Sequence, residues 1–268
     1  MKNIITLQLG DVETTALIPV AIKANETLSK NPRVKDPMAV EIVKHLKMDT
    51  AQFNKFLSRE GVIARTIMLD KTVRDFVAAN PDAVVVNLGA GFDNRFERVD
   101  NGRITWFDVD LPDLIAARRK AFPERERVTM IAANILEDNW IGMVKNAASA
   151  KSAPMIFLAE GLFMYLTLEE IGTLLNLLKN NFEHGTLVAE QNTPMMVKNQ
   201  KHHDTVSKTN AVFKSGTKSA RELEPLCPGI RVAEEHSFNE EMRKYSLRAK
   251  IFAFLLPGVN DRWATLVW

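Results

Sequence analysis

The chain is predicted to fold as a doubly wound α/β protein, a mostly parallel sheet of seven strands with a helical cap at its N-terminal end. Three observations predict it: short, nearly continuous apolar runs recur after residue 82, helix-like segments separate them, and the first run ends in Gly89-Ala90-Gly91. Runs without polar alternation mark strands buried on both faces, and parallel strands of that kind require crossover helices.

The elements follow in order. Over about 12–80, apolar residues recur three or four apart while β-branched clusters and hairpin dipeptides are scarce, so residues 1–80 are expected to form a helical cap packed on the core. Its clearest helix lies between Glu60 and Asn80, where Ile63, Ile67, Leu69, Val73, Phe76 and Val77 form a stripe that Asn80-Pro81 stops. Residues 81–268 are the expected core, with parallel strands at 83–88, 104–109, 128–132, 155–159 and 186–189. Thr167-Leu168-Glu169-Glu170 has the form of a capping box, so a helix begins at Leu168 and buries Ile171, Leu174, Leu175 and Leu178. That start makes 161–166 a strand-to-helix loop above the ligand crevice. A polar, lysine-rich stretch at about 192–224 is expected to be an insertion or lid, and runs at 230–234 and 264–268 supply the last two strands.

Composition narrows the function. Hydrophobic residues at 46% and charged residues at 25% describe an ordinary globular protein and exclude disordered and fibrous classes. A net charge of +2 gives no electrostatic reason to expect a nucleic-acid partner, which favours a small-molecule substrate. Cys227 is the only cysteine, so no disulfide can form within the chain. The opening Met1-Lys2-Asn3-Ile4-Ile5 lacks the apolar core of a signal peptide, and no run approaches the roughly 18 apolar residues of a membrane span. A cytoplasmic location without membrane association is the expectation. His202-His203-Asp204 lacks cysteine partners and i, i+4 spacing, so no metal site is expected.

The ligand signals sit at strand ends, where an open α/β sheet binds. Gly89 and Gly91 flank Ala90 in a turn that lets backbone approach a ligand closely. A dinucleotide fingerprint would need a small residue at position 94; Asn94 stands there, against a nicotinamide enzyme. Asp110 lies 21 residues beyond Gly89, near the roughly 20-residue offset of a ribose-binding acid. The alternative is that Asp110 only caps the helix opened by Leu111-Pro112. Asn134 and Ile135, in the turn after the third strand, are placed to face an adenine, although Asn134 can equally be a plain turn former. Glu160, at the tip of the fourth strand before Gly161 and Tyr165, needs a cationic partner: a ligand cation or a structural arginine or lysine.

In chain order, the segment from Arg59 to Thr66, then NLGAGFDNRF at 87–96, WFDVDLPDLIAARR at 106–119 and LAEGLFMYL at 158–166 resemble the leucine carboxyl methyltransferase family, and within it the tetracenomycin-type polyketide O-methyltransferase branch. The resemblance covers roughly 12–192. It implies a class I, Rossmann-like methyltransferase fold, S-adenosylmethionine as cofactor and a small-molecule methyl acceptor. Carried to these positions, it implies that Arg65 holds the methionine carboxylate with help from Lys23, and that Gly89, Ala90 and Gly91 pass under the amino-acid part. It further implies that Asp110 and Leu111 meet the ribose, Asn134 and Ile135 flank adenine, and Glu160 lies near the methionine end. Asp93 and Arg95 match a family Asp-x-Arg, read as an ion pair beneath the turn. The expected activity is O-methylation of a carboxylate or hydroxyl on a polyketide-like molecule, with Glu160, Tyr165 or a histidine of the 192–224 stretch as catalytic candidates where a base is needed. Carboxyl methylation of a protein C-terminus is the alternative reaction, and a non-catalytic S-adenosylmethionine-binding regulator is the alternative class.

Overall fold

The computed structural model describes residues 15–151, 153–202, 211–255 and 258–268. Strands β1 (Val84–Leu88), β2 (Thr105–Asp110), β3 (Val128–Ala132), β4 (Met155–Ala159), β5 (Thr186–Gln191), β6 (Arg231–Ser237) and β7 (Arg262–Val267) form one sheet in the order β3-β2-β1-β4-β5-β7-β6. Pairing is parallel from β3 across to β5, and β7 lies antiparallel to both β5 and β6. The doubly wound, mostly parallel sheet of seven strands is therefore the one the apolar runs predict. Its chain order reverses between β1 and β4, which opens a crevice at their carboxyl ends.

Helices cover both faces because successive strand residues point opposite ways. On one side Val84, Val86 and Leu88 of β1 pack with α6 (Ile141–Lys151) and with Ile171, Leu174, Leu175 and Leu178 of α7 (Leu168–Asn181). On the other, Val85 of β1 and Ile156 of β4 meet Leu69, Val73 and Val77 of α3 (Phe56–Ala79), together with Phe96 of α4 (Arg95–Val99). Each side chain of this size, fully buried, contributes about 1.5–3 kcal/mol. The Thr167 Oγ1 accepts from the Glu170 N–H at 3.1 Å and the Glu170 carboxylate accepts from the Thr167 N–H at 2.7 Å, so the capping box that starts α7 is formed.

Before the sheet, α1 (Leu17–Thr27) and α2 (Pro37–Leu46) share a small apolar cluster with α5 (Pro112–Ala121), built on Val20, Ala39, Ile42 and Leu114. Helix α3 starts four residues ahead of Glu60, because Phe56 adds to the apolar stripe against the sheet. Strand β5 runs two residues past the expected end at 189: Glu190 and Gln191 are polar but pair with Trp263 and Arg262 of β7. Within 192–224, α8 (Pro194–Lys198) and the stretch 211–217 press on the loop after β4. The Ser215 hydroxyl donates to the Phe163 carbonyl at 2.8 Å, the Lys214 N–H donates to the Met164 carbonyl at 2.7 Å, and the Thr217 hydroxyl donates to Gln191 Oε1 at 2.6 Å. His203 and Asp204 lie outside the described residues. Among the described residues no cluster of metal-ligating side chains occurs, and no helix is long and apolar enough to cross a membrane. Two further helices, α9 (Asn239–Met242) and α10 (Leu247–Leu255), lie between β6 and β7.

Candidate active site

The turn after β1 is bent by two glycines in the left-handed region, Gly89 at φ 64° and Gly91 at φ 50°. A Cβ at Gly89 would stand 2.9 Å from Leu162 Cδ1, and one at Gly91 would stand 3.2 Å from the Ala16 Cβ, so the turn is tight as well as strained for other residues. Asp110, at the tip of β2, joins the two strand ends. One of its carboxylate oxygens accepts from the Gly91 N–H and the other from the Leu111 N–H, both at 2.8 Å. Pro112 opens α5 just beyond. Burial drives Asp110 toward its neutral form, and the two N–H donors only partly oppose it, so its carboxyl is pushed up to about 6.

Both strand tips open on one cavity of about 550 Å³, within the size range of small-molecule sites. Every residue expected to hold the cofactor lines it, as does Tyr165: Lys23, Arg65, Gly89, Ala90, Gly91, Asp110, Leu111, Asn134, Ile135, Glu160 and Tyr165. Their side chains differ in how far they are already engaged. The Asn134 Oδ1 accepts from the Leu136 N–H at 3.1 Å, the bond of a turn former, while Ile135 supplies a buried apolar wall beside it. Lys23 is buried and reaches Asp93 at 3.1 Å and Asp36 at 3.3 Å. The Tyr165 hydroxyl donates to Thr15 at 3.2 Å, and burial holds its phenol above the usual tyrosine range, so it remains protonated at neutral pH.

Charge is concentrated beneath the glycine turn. Asp93 and Arg95 pair at 3.0 Å, and Arg95 extends to Asp70 and to Glu160. Arg98 bridges Asp36, Asp70 and Asp93. Arg65, from α3, lies between Glu160 at the tip of β4 and Glu190 near the end of β5: its Nη1 donates to Glu190 at 2.9 Å and its Nε stands 2.8 Å from Glu160. That Nε–H is misdirected for a hydrogen bond and has no partner among the described residues. Burial opposes ionisation of Glu160, but Arg95 and Arg65 outweigh it and hold the carboxyl below the usual glutamate range. Glu190 goes the other way, since burial and repulsion from Glu160 exceed what Arg65 returns.

Two groups were not anticipated from the sequence. Glu190 is 2% exposed and its Oε2 accepts from the Gly161 N–H at 2.6 Å. Asp261, just before β7, lines the cavity beside it, with its carboxyl pushed well up by burial and by Glu190. The buried Asn192 amide, oriented to donate, reaches Asp261 Oδ1 at 3.1 Å and Oδ2 at 3.3 Å. The polar run Glu190-Gln191-Asn192 at a strand tip was a usable signal, because it repeats the pattern that marked Glu160.

Counting the linked ion pairs, five carboxylates (Asp36, Asp70, Asp93, Glu160 and Glu190) share four cations (Lys23, Arg65, Arg95 and Arg98), and Asp110 and Asp261, both with carboxyls pushed up by burial, line the cavity outside that network. A site with that excess suits a ligand of net positive charge.

Residues 16–179 match the family model described as leucine carboxyl methyltransferase, which is more than half of the chain. The chain belongs to the leucine carboxyl methyltransferase family. This family member is 28% identical over 234 residues to the tetracenomycin polyketide synthesis O-methyltransferase TcmP of Streptomyces glaucescens, covering 87% of this chain and 85% of that protein. It is 29% identical over 190 residues to the S-adenosyl-L-methionine-dependent methyltransferase dpfgK of Gibberella zeae, covering 65% of this chain and 62% of that protein, so it spans less than two thirds of the latter. A solved structure from Thermobifida fusca, described as a candidate methyltransferase, superposes with a TM-score of 0.61 at 14% identity over 94% of this chain and 93% of that one, a likeness of fold. The protein is thus a methyltransferase of the leucine carboxyl methyltransferase family, and S-adenosylmethionine is its cofactor.

Proposed function

We propose that this methyltransferase transfers the methyl group to an oxygen, a hydroxyl or a carboxylate, of a small polyketide-like molecule. The supporting observation is the junction of Gly91 and Asp110 inside a cavity that is also lined by aromatic and thioether side chains, among them Tyr165, Met196, Phe213 and Phe252. The relation to TcmP, whose name places it in tetracenomycin polyketide synthesis, supports the same substrate class.

The residues present fit the cofactor. Gly89 and Gly91 leave room where a Cβ would intrude, and the acid excess suits a group carrying both a sulfonium and an ammonium. When bound, the cofactor supplies an electrophilic methyl on sulfur. In this reading Asp110, its remaining lone pairs free of the Gly91 and Leu111 N–H groups, accepts from the ribose hydroxyls. Ile135 packs on adenine, with Asn134 at its edge. Arg65 swings its fork to the methionine carboxylate, and Glu160, kept ionised by Arg95, faces the ammonium. Lys23 fixes Asp93 and so the floor of the turn. The chain's largest contribution is then alignment in a site cleared of water, since displacement at a methyl group demands a collinear approach.

The test combines binding and turnover. Calorimetry should show S-adenosylhomocysteine binding, and a labelled-methyl screen over phenolic and carboxylated aromatic compounds should give labelled ethers or esters. Binding without transfer to any acceptor would favour the regulator alternative, and absence of binding would refute the proposal.

A further inference from the structure

We infer that Glu190 is a positioning residue for the amino-acid end of the cofactor: it anchors one nitrogen of Arg65 and the N–H of Gly161, and so keeps the opposite edge of the guanidinium open to a carboxylate. The inference rests on the methyltransferase reading above, which assigns the methionine carboxylate to Arg65, and adds to it a residue that acts through Arg65 and Gly161.

The anchor is built on sheet, not loop. Glu190 is 2% exposed, and its backbone is in register with Trp263 in the pairing of β5 with β7. Its Oε2 accepts at 2.6 Å from the Gly161 N–H and at 2.9 Å from Arg65 Nη1, and its Oε1 accepts from the same Nη1 at 3.1 Å. Gly161 turns in the left-handed region at φ 62°, and a Cβ on it would lie 3.5 Å from Arg65 Nη1 and 3.8 Å from Glu190 Oε2. Strand β5, the turn after β4 and helix α3 therefore meet at one carboxylate.

The nitrogens that Glu190 does not hold give the anchor its use. A guanidinium carries its N–H donors in one plane, and a carboxylate fits it best across two neighbouring nitrogens. Glu190 engages Nη1 alone. The Nε–H is buried without a hydrogen bond, and Nη2 has no hydrogen-bond partner among the described residues. Glu160 stands 2.8 Å from Nε as an ion pair without a hydrogen bond, its other oxygen held by Arg95. The edge formed by Nε and Nη2 is thus a fork that no side chain among the described residues has taken up, on a residue that lines the cavity.

Glu160 and Glu190 compete for this guanidinium. Without the hold on Nη1, Arg65 would turn fully to Glu160 and close the fork on it, because opposite charges this near attract strongly when shielded from water. With the hold in place, Arg65 pivots on Nη1, and its fork and Glu160 stay separate receivers, one for the carboxylate of the cofactor and one for its ammonium. The bond to the Gly161 N–H also fixes the chain one residue beyond Glu160. Glu190 thereby sets the spacing of both receivers.

The experiment compares S-adenosylhomocysteine with 5′-methylthioadenosine, the same nucleoside thioether without the amino-acid part, by calorimetry at neutral pH. The wild-type protein is expected to prefer S-adenosylhomocysteine by at least about tenfold, since only that ligand can use the fork. E190Q keeps the shape and loses the charge, whereas E190D keeps the charge and loses the reach. Both should weaken S-adenosylhomocysteine at least about tenfold and leave 5′-methylthioadenosine within about twofold. A merely structural role would weaken the two ligands together, and that result overturns the inference. So does an unchanged ratio of affinities in a folded variant, and so does tighter S-adenosylhomocysteine binding by E190Q, which would make Glu190 a charge that repels the carboxylate. Should one variant lose its cooperative melt, the other decides; should both, the wild-type preference decides, and its absence overturns the inference. Failure of both ligands to bind the wild-type protein is a separate readout and sinks the underlying reading too.

Discussion

Replacing Asp110 by asparagine should make the free protein more stable and the cofactor complex weaker. The opposition of sign follows from the geometry. Raising a carboxyl from the ordinary aspartate value near 3.8 to about 6 means that burial disfavours its charged form by roughly 3 kcal/mol. Because the folded pKa lies above the unfolded one, that cost is absent below the unfolded pKa, grows as pH rises and is complete above about 6. D110N removes the charge. Its amide oxygen can still accept one of the Gly91 and Leu111 N–H groups, but its NH2 faces the other, a loss of about 1–2 kcal/mol. The net expectation at neutral pH is a gain of about 1–2 kcal/mol for the free protein. Cofactor binding moves the opposite way, since each hydrogen bond from a ribose hydroxyl to an ionised carboxylate contributes about 1.5–3 kcal/mol, and losing one weakens affinity tenfold or more. Wild-type affinity for S-adenosylhomocysteine should itself fall about tenfold per pH unit below 6, with one proton released on binding, and D110N should flatten that slope. Thermal melts and calorimetry across pH 5 to 8 read all three effects. A folded D110N with unchanged affinity and the same pH slope would return Asp110 to a helix-start role, and a less stable D110N at neutral pH would refute the desolvation argument.

Other perturbations separate the scaffold from the site. Leu175→Ala should cost about 2–5 kcal/mol in urea unfolding, because Leu175 is fully buried where α7 meets the sheet, while S-adenosylhomocysteine affinity of the folded fraction stays the same. Gly89→Ala should lower stability by about 1–2 kcal/mol through its φ of 64° and should also weaken the cofactor, since the new methyl would displace Leu162 at the cavity wall; calorimetry checks the second effect. Arg65→Met should destabilise the protein by about 3–5 kcal/mol at neutral pH by stranding Glu190 and leaving Glu160 to Arg95 alone, and part of the loss should return on acidification as Glu190, already raised by burial, takes up a proton; urea unfolding at two pH values measures it.

The sheet and half of the cavity were legible in the sequence for a simple reason. Strands buried on both faces are written as uninterrupted apolar runs, and the parallel ones end at the same rim, so the polar or glycine residue that closes each run marks the site: Gly89 after β1, Asp110 on β2, Asn134 after β3 and Glu160 after β4. The rule also covers Glu190, which closes the apolar run ending at Ala189, although pairing with β7 carries the strand on through Glu190 and Gln191. It inverts at β7. An antiparallel strand brings its beginning, not its end, to the rim where the parallel strands finish, so Asn260 and Asp261 reach the cavity from a turn that precedes an apolar run. Nothing in Pro257-Gly258-Val259-Asn260-Asp261 distinguishes that turn from a solvent loop until the strand's direction is known. The same physics explains the ion pairs beneath the turn: Asp93 and Arg95 are two positions apart in sequence and readable, whereas Arg65 meets Glu190 across 125 positions of chain, a contact that only the packing of α3 against the β4 and β5 tips creates. The lining at the β1 to β4 tips is thus built from local strand–turn–helix units, and the lining at Glu190 and Asp261 from long-range contacts.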